Sequence, residues 1–477
     1  MTLTPKDLSF LNQKLQPTNE DGDFQVFVGN SSEGGLEGTF KVGQTAVAEK
    51  KTKLLETERV FAAQLPTKAI PAAQISQPDD AFLEDLSRKT FNFFWEQSDK
   101  ETGLTADRAR ADGSSLPPNH PSYNVASSAA TGFGLTGLCV AAERNWIMPA
   151  EAKTRARKTL DFFANRAFHK NGWFYHWMDK TTGERRWRSE VSSIDTAIVL
   201  GGVLSVKQCF QDDAEIVNLA AKIYERVDFK WMLNGNPYLL SHGWREESGF
   251  IPTRWDTYSE HALLYFLAIG STKFSISPEA WYAWKRDFVT YGDYKYLAGD
   301  TPLFIHQFSQ AWLDLRGRRE RRSPNVDYYE NSVKATRAQR QFFIDISKEF
   351  PTYSANIWGL TASDSQKGYI AWGAPPRPTS LDGTVVPCAA AGSLMFTPDI
   401  SLAALREMKA KFGDKIYKNY GFVDAFNPRT GWTDTDVIGI DLGITLLSAE
   451  NLRSGKVWFW FMQNPEINGV LQRINLG

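Results

Sequence analysis

Two stretches of this chain are apolar nearly all the way round a helical wheel. Ser127–Asn145 (SSAATGFGLTGLCVAAERN) and Ser192–Phe210 (SSIDTAIVLGGVLSVKQCF) both open on serine, which caps helix N-termini well. A helix with no polar face is buried on every side. Glycines 132, 134 and 137 lower helix propensity in the first stretch, which points to a second helix passing close by. Other stretches are amphipathic. Phe82, Leu86, Phe93 and Phe94 share one face from Asp79 onward, and Pro149–Arg166 is amphipathic too. Ala214–Val227, Thr257–Ile269, Pro278–Tyr291, Phe304–Arg316, Tyr328–Phe350, Pro398–Phe412 and Asp441–Arg453 complete eleven predicted helices. No alternating strand pattern of comparable strength accompanies them.

Inner, all-apolar helices alternating with outer, amphipathic ones are what a double ring of helices needs. The sequence therefore predicts an all-α fold, an (α/α)6 barrel, as one large domain over residues 79–477. Residues 1–78 read differently. They are polar, with SSEGG at 31–35 and PTKAIPAAQISQPDD at 66–80, and offer only a short helix near Thr45–Phe61. They are expected to form a mostly irregular, loop-rich N-terminal extension and linker.

Charge and composition narrow the function. Lys+Arg 54 against Asp+Glu 55 leaves a net charge of −1, which argues against a nucleic-acid partner. Apolar residues at 42% and charged residues at 23% exclude global disorder. No run reaches the roughly 18 apolar residues of a membrane span. The first residues lack a basic start followed by an apolar run, so no secretory signal is visible and a cytoplasmic location is expected. Cys139, Cys209 and Cys388 are too few and scattered for a disulfide framework or a metal cluster. The six histidines show no zinc spacing, and no phosphate loop, dinucleotide fingerprint or nucleophile elbow is present. Neither a metal nor a cofactor is expected.

The chain holds 16 Trp and 16 Tyr, and rings of this kind stack on sugar faces as readily as they fill a core. Three acids stand at the starts of apolar helices: Asp195 in Ser192-Ser193-Ile194-Asp195, Glu260 in Thr257-Tyr258-Ser259-Glu260, and Asp441 in Gly439-Ile440-Asp441. Acids there commonly serve only as caps. Each, however, follows a loop rich in rings: Trp173–Trp177 with Trp187, Trp244–Tyr258, and Tyr420–Trp432. In a ring of helical hairpins such loops converge on one mouth. Paired carboxylates beside stacked rings suit glycoside hydrolysis, in which one acid gives a proton to the leaving oxygen and another activates water or attacks. The sequence pattern does not assign the two roles.

The loop motifs resemble a known family. Phe91-Asn92-Phe93-Phe94-Trp95-Glu96, Ser189–Ala197, Trp255–Glu260, Trp358–Asp364, Asp382–Pro387, Tyr420–Asn427, Gly439–Gly443 and Glu450–Gly455 follow in collinear order the glycoamylase-like (glucoamylase-like) domain, glycoside hydrolase family 144. That resemblance implies an (α/α)6 barrel that cleaves β-1,2-glucan with inversion and no cofactor. It implies Glu260 as general acid, Asp441 as base and Asp195 as a third acid supporting sugar binding. Leu442 stands where the family usually has Gln. Most such enzymes are exported, which makes a periplasmic location the alternative.

The expected partner is an oligo- or polysaccharide. Trp187, Arg188, Arg254, Trp255, Tyr258, His306, Tyr329, Trp358, Asp364, Trp372 and Asp424 are further candidates for sugar contact, some of them structural. Asp314 and Arg316 are expected to pair with each other. Inversion requires the two carboxyl groups to lie roughly 6.5–9.5 Å apart. The competing readings are a transglycosylase or hydrolase acting on another glucan, and a non-catalytic glucan-binding protein.

Overall fold

The computed structural model describes residues 68–477 in full and, before them, the backbone of four short strands. The chain divides into two compact units, Met1–Pro66 and Thr67–Gly477. In the first unit, strands Gly22–Val28 and Leu36–Val42 pair antiparallel, within a segment expected to be mostly irregular. The helix expected near Thr45–Phe61 lies outside the described residues.

The second unit is mostly helical. Its longest helices are Gln77–Gln97, Ser128–Glu143, Pro149–Asp161, Ser193–Cys209, Ala214–Arg226, Tyr328–Asp345, Pro398–Phe412 and Gly439–Arg453. Their starts follow the sequence. Ser127, Ser192, Asp213 and Asp327 each accept a hydrogen bond from the backbone N–H three residues on, and Pro149 and Pro398 occupy first turns. The Ser128–Glu143 helix is buried along its length up to Ala142, and Ser193–Cys209 nearly so, as their missing polar faces require. Asp314 and Arg316 pair through two contacts of 2.8 and 2.7 Å.

Three expected helices differ. Thr257–Ile269 becomes Ala262–Gly270, because Tyr258 N–H is taken by Lys285 O at 3.1 Å and holds the preceding loop extended. Pro278–Tyr291 yields only Ala280–Ala283, followed by a hairpin of Phe288–Tyr291 and Tyr294–Leu297 around Gly292-Asp293. Gly-Asp between two short apolar runs is itself a hairpin signal. Phe304–Arg316 reduces to two 3-10 turns, Leu303–His306 and Ser309–Ala311. Two short C-terminal helices, Lys456–Met462 and Pro465–Arg473, carried no expectation. No helix among the described residues is long and apolar enough to cross a membrane.

The centre of the unit is a crossing that only glycine permits. A Cβ on Gly202 would stand 2.2 Å from Gly132 O, and one on Gly132 2.3 Å from Ile198 O. Gly443 meets Phe133 in the same way, at 2.2 Å. Gly137 is looser, since its nearest neighbour is a Leu446 methyl at 3.2 Å. Gly202→Ala is therefore expected to cost about 3 kcal/mol or more, because backbone cannot yield. Gly137→Ala is expected to change stability by less than about 1 kcal/mol, since gained helix propensity offsets a small shift of a flexible methyl. Urea unfolding of the two variants checks the contrast; equal losses reject it.

Candidate active site

Short strands deliver three inner helices to a common mouth. Val125–Ser127 pairs with Trp177–Asp179, Val191–Ser192 with Gly243–Arg245, and Asp436–Ile438 with Arg108–Arg110. Each helix then gives an early N–H to a neighbouring loop. Ser128 N donates to His176 O at 3.0 Å, Ser193 N to His242 O at 3.0 Å, and Gly439 N to Asp107 O at 2.7 Å. These bonds satisfy helix-start donors without using the acids. The N-caps are Ser192, His261 and Ile438, so neither Asp195, Glu260 nor Asp441 is the capping residue.

Asp195, Glu260 and Asp441 instead line one cleft of about 380 Å3. Trp177, Trp187 and Tyr369 supply its rings, and Phe304 and Phe308 close its floor. Trp187 is 46% exposed and Tyr369 54%, which leaves faces free for stacking. The Glu260 carboxylate accepts a hydrogen bond from Ser259 Oγ, and Ser309 Oγ donates to Glu260 O. Burial pushes the Glu260 carboxyl above the usual range; the Ser259 bond opposes this, and the Asp195 and Asp300 charges add to it. Asp441 is pushed up to about 6, first by burial, against hydrogen bonding with Asp424 and Cys388. Leu442 lines a separate void with Leu86 and Thr90 rather than the cleft.

His176 and Trp177, from the ring-rich loop before Asp195, also line the cleft, as do Asp107, Arg108 and Tyr369, which no residue pattern had marked. The signal for Asp107 was positional only: it sits in a loop whose carbonyl receives a helix N–H group. Trp177 Nε1 donates to Asp107 Oδ1 at 3.1 Å. His176 stacks on Trp177 with ring centres 3.5 Å apart. Its Nδ1 lies 3.1 Å from Glu190 Oε1 and its Nε2 3.5 Å from Asp195 Oδ1. Burial disfavours the imidazolium, but Asp195 and Glu190 outweigh it and hold the ring above its ordinary value.

The other expected contacts are distributed differently. Arg254, Trp255 and Tyr258 line a second hollow of about 430 Å3, together with Ser259, the residue before Glu260 in sequence. Arg254 also binds the carbonyls of Leu233 and Leu239 at 2.8 Å each, and Trp255 Nε1 binds Ser193 Oγ at 2.9 Å. Arg188 is exposed beside Trp187, with Glu247 at 3.5 Å. Six residues lie off both hollows, which corrects the expectation of sugar contact. Trp358 is fully buried, and Trp372 is buried with its Nε1 bonded to Ser363 Oγ at 3.2 Å. Buried His306 bonds Tyr258 Oη at 3.1 Å, and Tyr329 Oη donates to Met395 O at 2.6 Å. Asp364 pairs with Arg108 at 2.6 Å, and buried Asp424 accepts from Asp364 N at 2.8 Å. Trp358 and Trp372 are core residues, and the other four are engaged by protein partners, with Asp364 keeping 14% of its side chain exposed.

The His176 environment is directly measurable. Its titration midpoint, followed by NMR of the ring protons, is expected above 6.5, the ordinary histidine value. Asp195→Asn is expected to lower that midpoint by removing the strongest charge that favours the cation; an unchanged midpoint rejects the pairing.

The chain is similar in sequence and fold to several known proteins. Residues 252–465 match the Glycoamylase family model ("Putative glucoamylase"). A curated relative from Parabacteroides distasonis, named exo beta-1,2-glucooligosaccharide sophorohydrolase (non-reducing end), is 25% identical over 446 residues. The match takes in 86% of this chain, and the chain spans 60% of that relative's length. The endo-beta-1,2-glucanase of Chitinophaga pinensis, solved with sophorotriose and glucose, superposes with a TM-score of 0.77 at 28% identity, over 85% of this chain and 99% of that one. A beta-1,2-glucanase from Parabacteroides distasonis superposes at 0.75 and 24% identity, over 84% of this chain and 60% of that one, a likeness of fold. In sequence and in fold, the chain resembles the glycoamylase-like proteins of glycoside hydrolase family 144.

Proposed function

We propose that this chain is a glycoside hydrolase that cleaves β-1,2-linked glucan with inversion, with Glu260 as general acid and Asp441 as general base. The observation that carries the reading is the placing of Glu260 and Asp441 on one ring-walled cleft. Among the described residues neither is paired with a Lys or Arg, so both carboxyl groups are left for chemistry. The similar proteins from Chitinophaga pinensis and Parabacteroides distasonis, both named for β-1,2-glucan cleavage, supply the linkage.

The chemistry follows from the two environments. Burial favours the protonated form of Glu260, which suits donation to the leaving oxygen. Asp441, on the first turn of its helix, is ionised above about pH 6 and takes the proton of the attacking water. Trp177, Trp187 and Tyr369 stack on sugar faces, while Asp195, Asp107 and Arg108 bind hydroxyls. The second hollow, with Trp255 and Tyr258, extends the groove beyond Glu260 and holds further glucose units. The inner and outer helices complete an (α/α)6 double ring, a reading supported by the superposition on the Chitinophaga pinensis enzyme.

Glu260→Gln is expected to keep glucan affinity, read by calorimetry, and to lower turnover by about 10²–10⁴-fold, read as new reducing ends. Full activity in this variant rejects the assignment. The stereochemical course has its own check. Proton NMR of the first turnovers is expected to show an α-configured reducing end, and an initial β-anomer rejects inversion.

A further inference from the structure

Behind the Asp441 side of the cleft lies a carboxylate cluster that the proposed chemistry leaves unused. Asp364, Asp424 and Asp434 each bring an oxygen within 4.8 Å of the other two. Asp424 is 4% exposed and Asp434 8%, so both are more than nine-tenths buried. One oxygen of each is well held. Asp364 N donates to Asp424 Oδ2 at 2.8 Å, and Asp436 N donates to Asp434 Oδ1 at 3.1 Å. The second oxygens, Asp424 Oδ1 and Asp434 Oδ2, are buried with no hydrogen-bond partner. Buried polar groups are almost always satisfied, so two orphaned carboxylate oxygens in one cluster point to a missing positive partner.

The charge balance points the same way. Arg108, 2.6 Å from Asp364 Oδ2, is the cation in contact with the cluster. Arg110 is committed to Asp436 at 2.6 Å. Arg108 is shared with Asp107 at 3.5 Å and Asp436 at 3.9 Å, so the three carboxylates are under-compensated when ionised, and burial together with their mutual repulsion favours their discharge by protons or by one divalent ion. Oxygens up to 4.8 Å apart fit around an ion with bonds of roughly 2.3–2.6 Å, the range of calcium. Asp364 keeps 14% of its side chain exposed, which provides a route of entry.

We propose that Asp364, Asp424 and Asp434 form a binding site for one oxygen-seeking divalent cation, Ca2+ first among them. The ion ties together three chain segments, around residues 364, 424 and 434, beneath the wall that carries Asp441. Hard carboxylate oxygens with no nitrogen or sulfur donor select calcium or magnesium over zinc or copper. The site does not depend on the glucan reading, and its readouts are ion content and unfolding rather than turnover.

The test uses the full chain, stripped with EDTA and desalted, then given millimolar CaCl2, MgCl2 or KCl. After a second desalting, elemental analysis is expected to find about one calcium per chain, and the unfolding midpoint in CaCl2 is expected to rise by about 2 °C or more over the KCl arm. Asp434→Asn keeps the oxygen that accepts Asp436 N–H and is expected to lose both effects. Should that variant fail to fold, Asp364→Asn at the half-buried corner takes its place with the same expected losses. No retained ion and equal midpoints in all three salts show that protons discharge the cluster, and overturn the site. A variant that binds calcium like the parent overturns it as well.

Discussion

Everything at the mouth depends on where the first N–H groups of the inner helices send their hydrogen bonds. A helix start leaves donors unsatisfied, and acidic side chains usually supply acceptors for them. Here backbone carbonyls from neighbouring loops do part of that work, at Asp107, His176 and His242. Two consequences follow together. The loops are fastened in sequence, so Asp107 and His176 arrive at the cleft beside the helices they serve. The acids are released from capping duty and turn toward the cavity.

This fastening succeeds because the helices beneath it come close enough. Gly132 against Gly202, and Gly443 against Phe133, bring three helix axes nearer than any side chain would allow. Trp312 fills the remaining space, with its Nε1 bonded to Thr136 Oγ1 at 3.0 Å and its ring 4.8 Å from Phe133. A dense, largely apolar centre then holds several carboxylates near its upper edge, where burial raises Glu260, Asp424 and Asp441 above ordinary acidity.

The buried helices were legible in the sequence because full burial leaves a clear trace: serine at the start, glycine at the crossing and, apart from Asp195, no charge between. Asp195 and Asp441 stand at the same place, three residues past their helix caps, whereas Glu260 precedes its cap, His261. The loss of helix around Phe304 was not legible, and after Pro278 only the Gly292-Asp293 turn signalled the hairpin that replaces the expected helix. There, apolar count suggested helix, while Tyr258, Ser309 and Gln310 divert hydrogen bonds across the chain. Arg108 reaches the cleft through a strand pair with Ile438, a partner far away in sequence. Trp358 and Trp372 show the reverse failure, since a ring's identity does not reveal which side of a wall it occupies.

Trp187 and Arg188 both hold φ near +52°, a left-handed backbone that non-glycine residues adopt at a cost of about 1 kcal/mol or more each. Arg185 holds that bend by binding the carbonyls of Arg188 and Ser189 at 2.8 and 2.5 Å, and is itself clamped by Glu247. The lip of the groove is thus shaped while the polypeptide folds. Under the proposed function, an arriving saccharide meets a ring already parked in place, and little of its adhesion is lost to stiffening a loose edge.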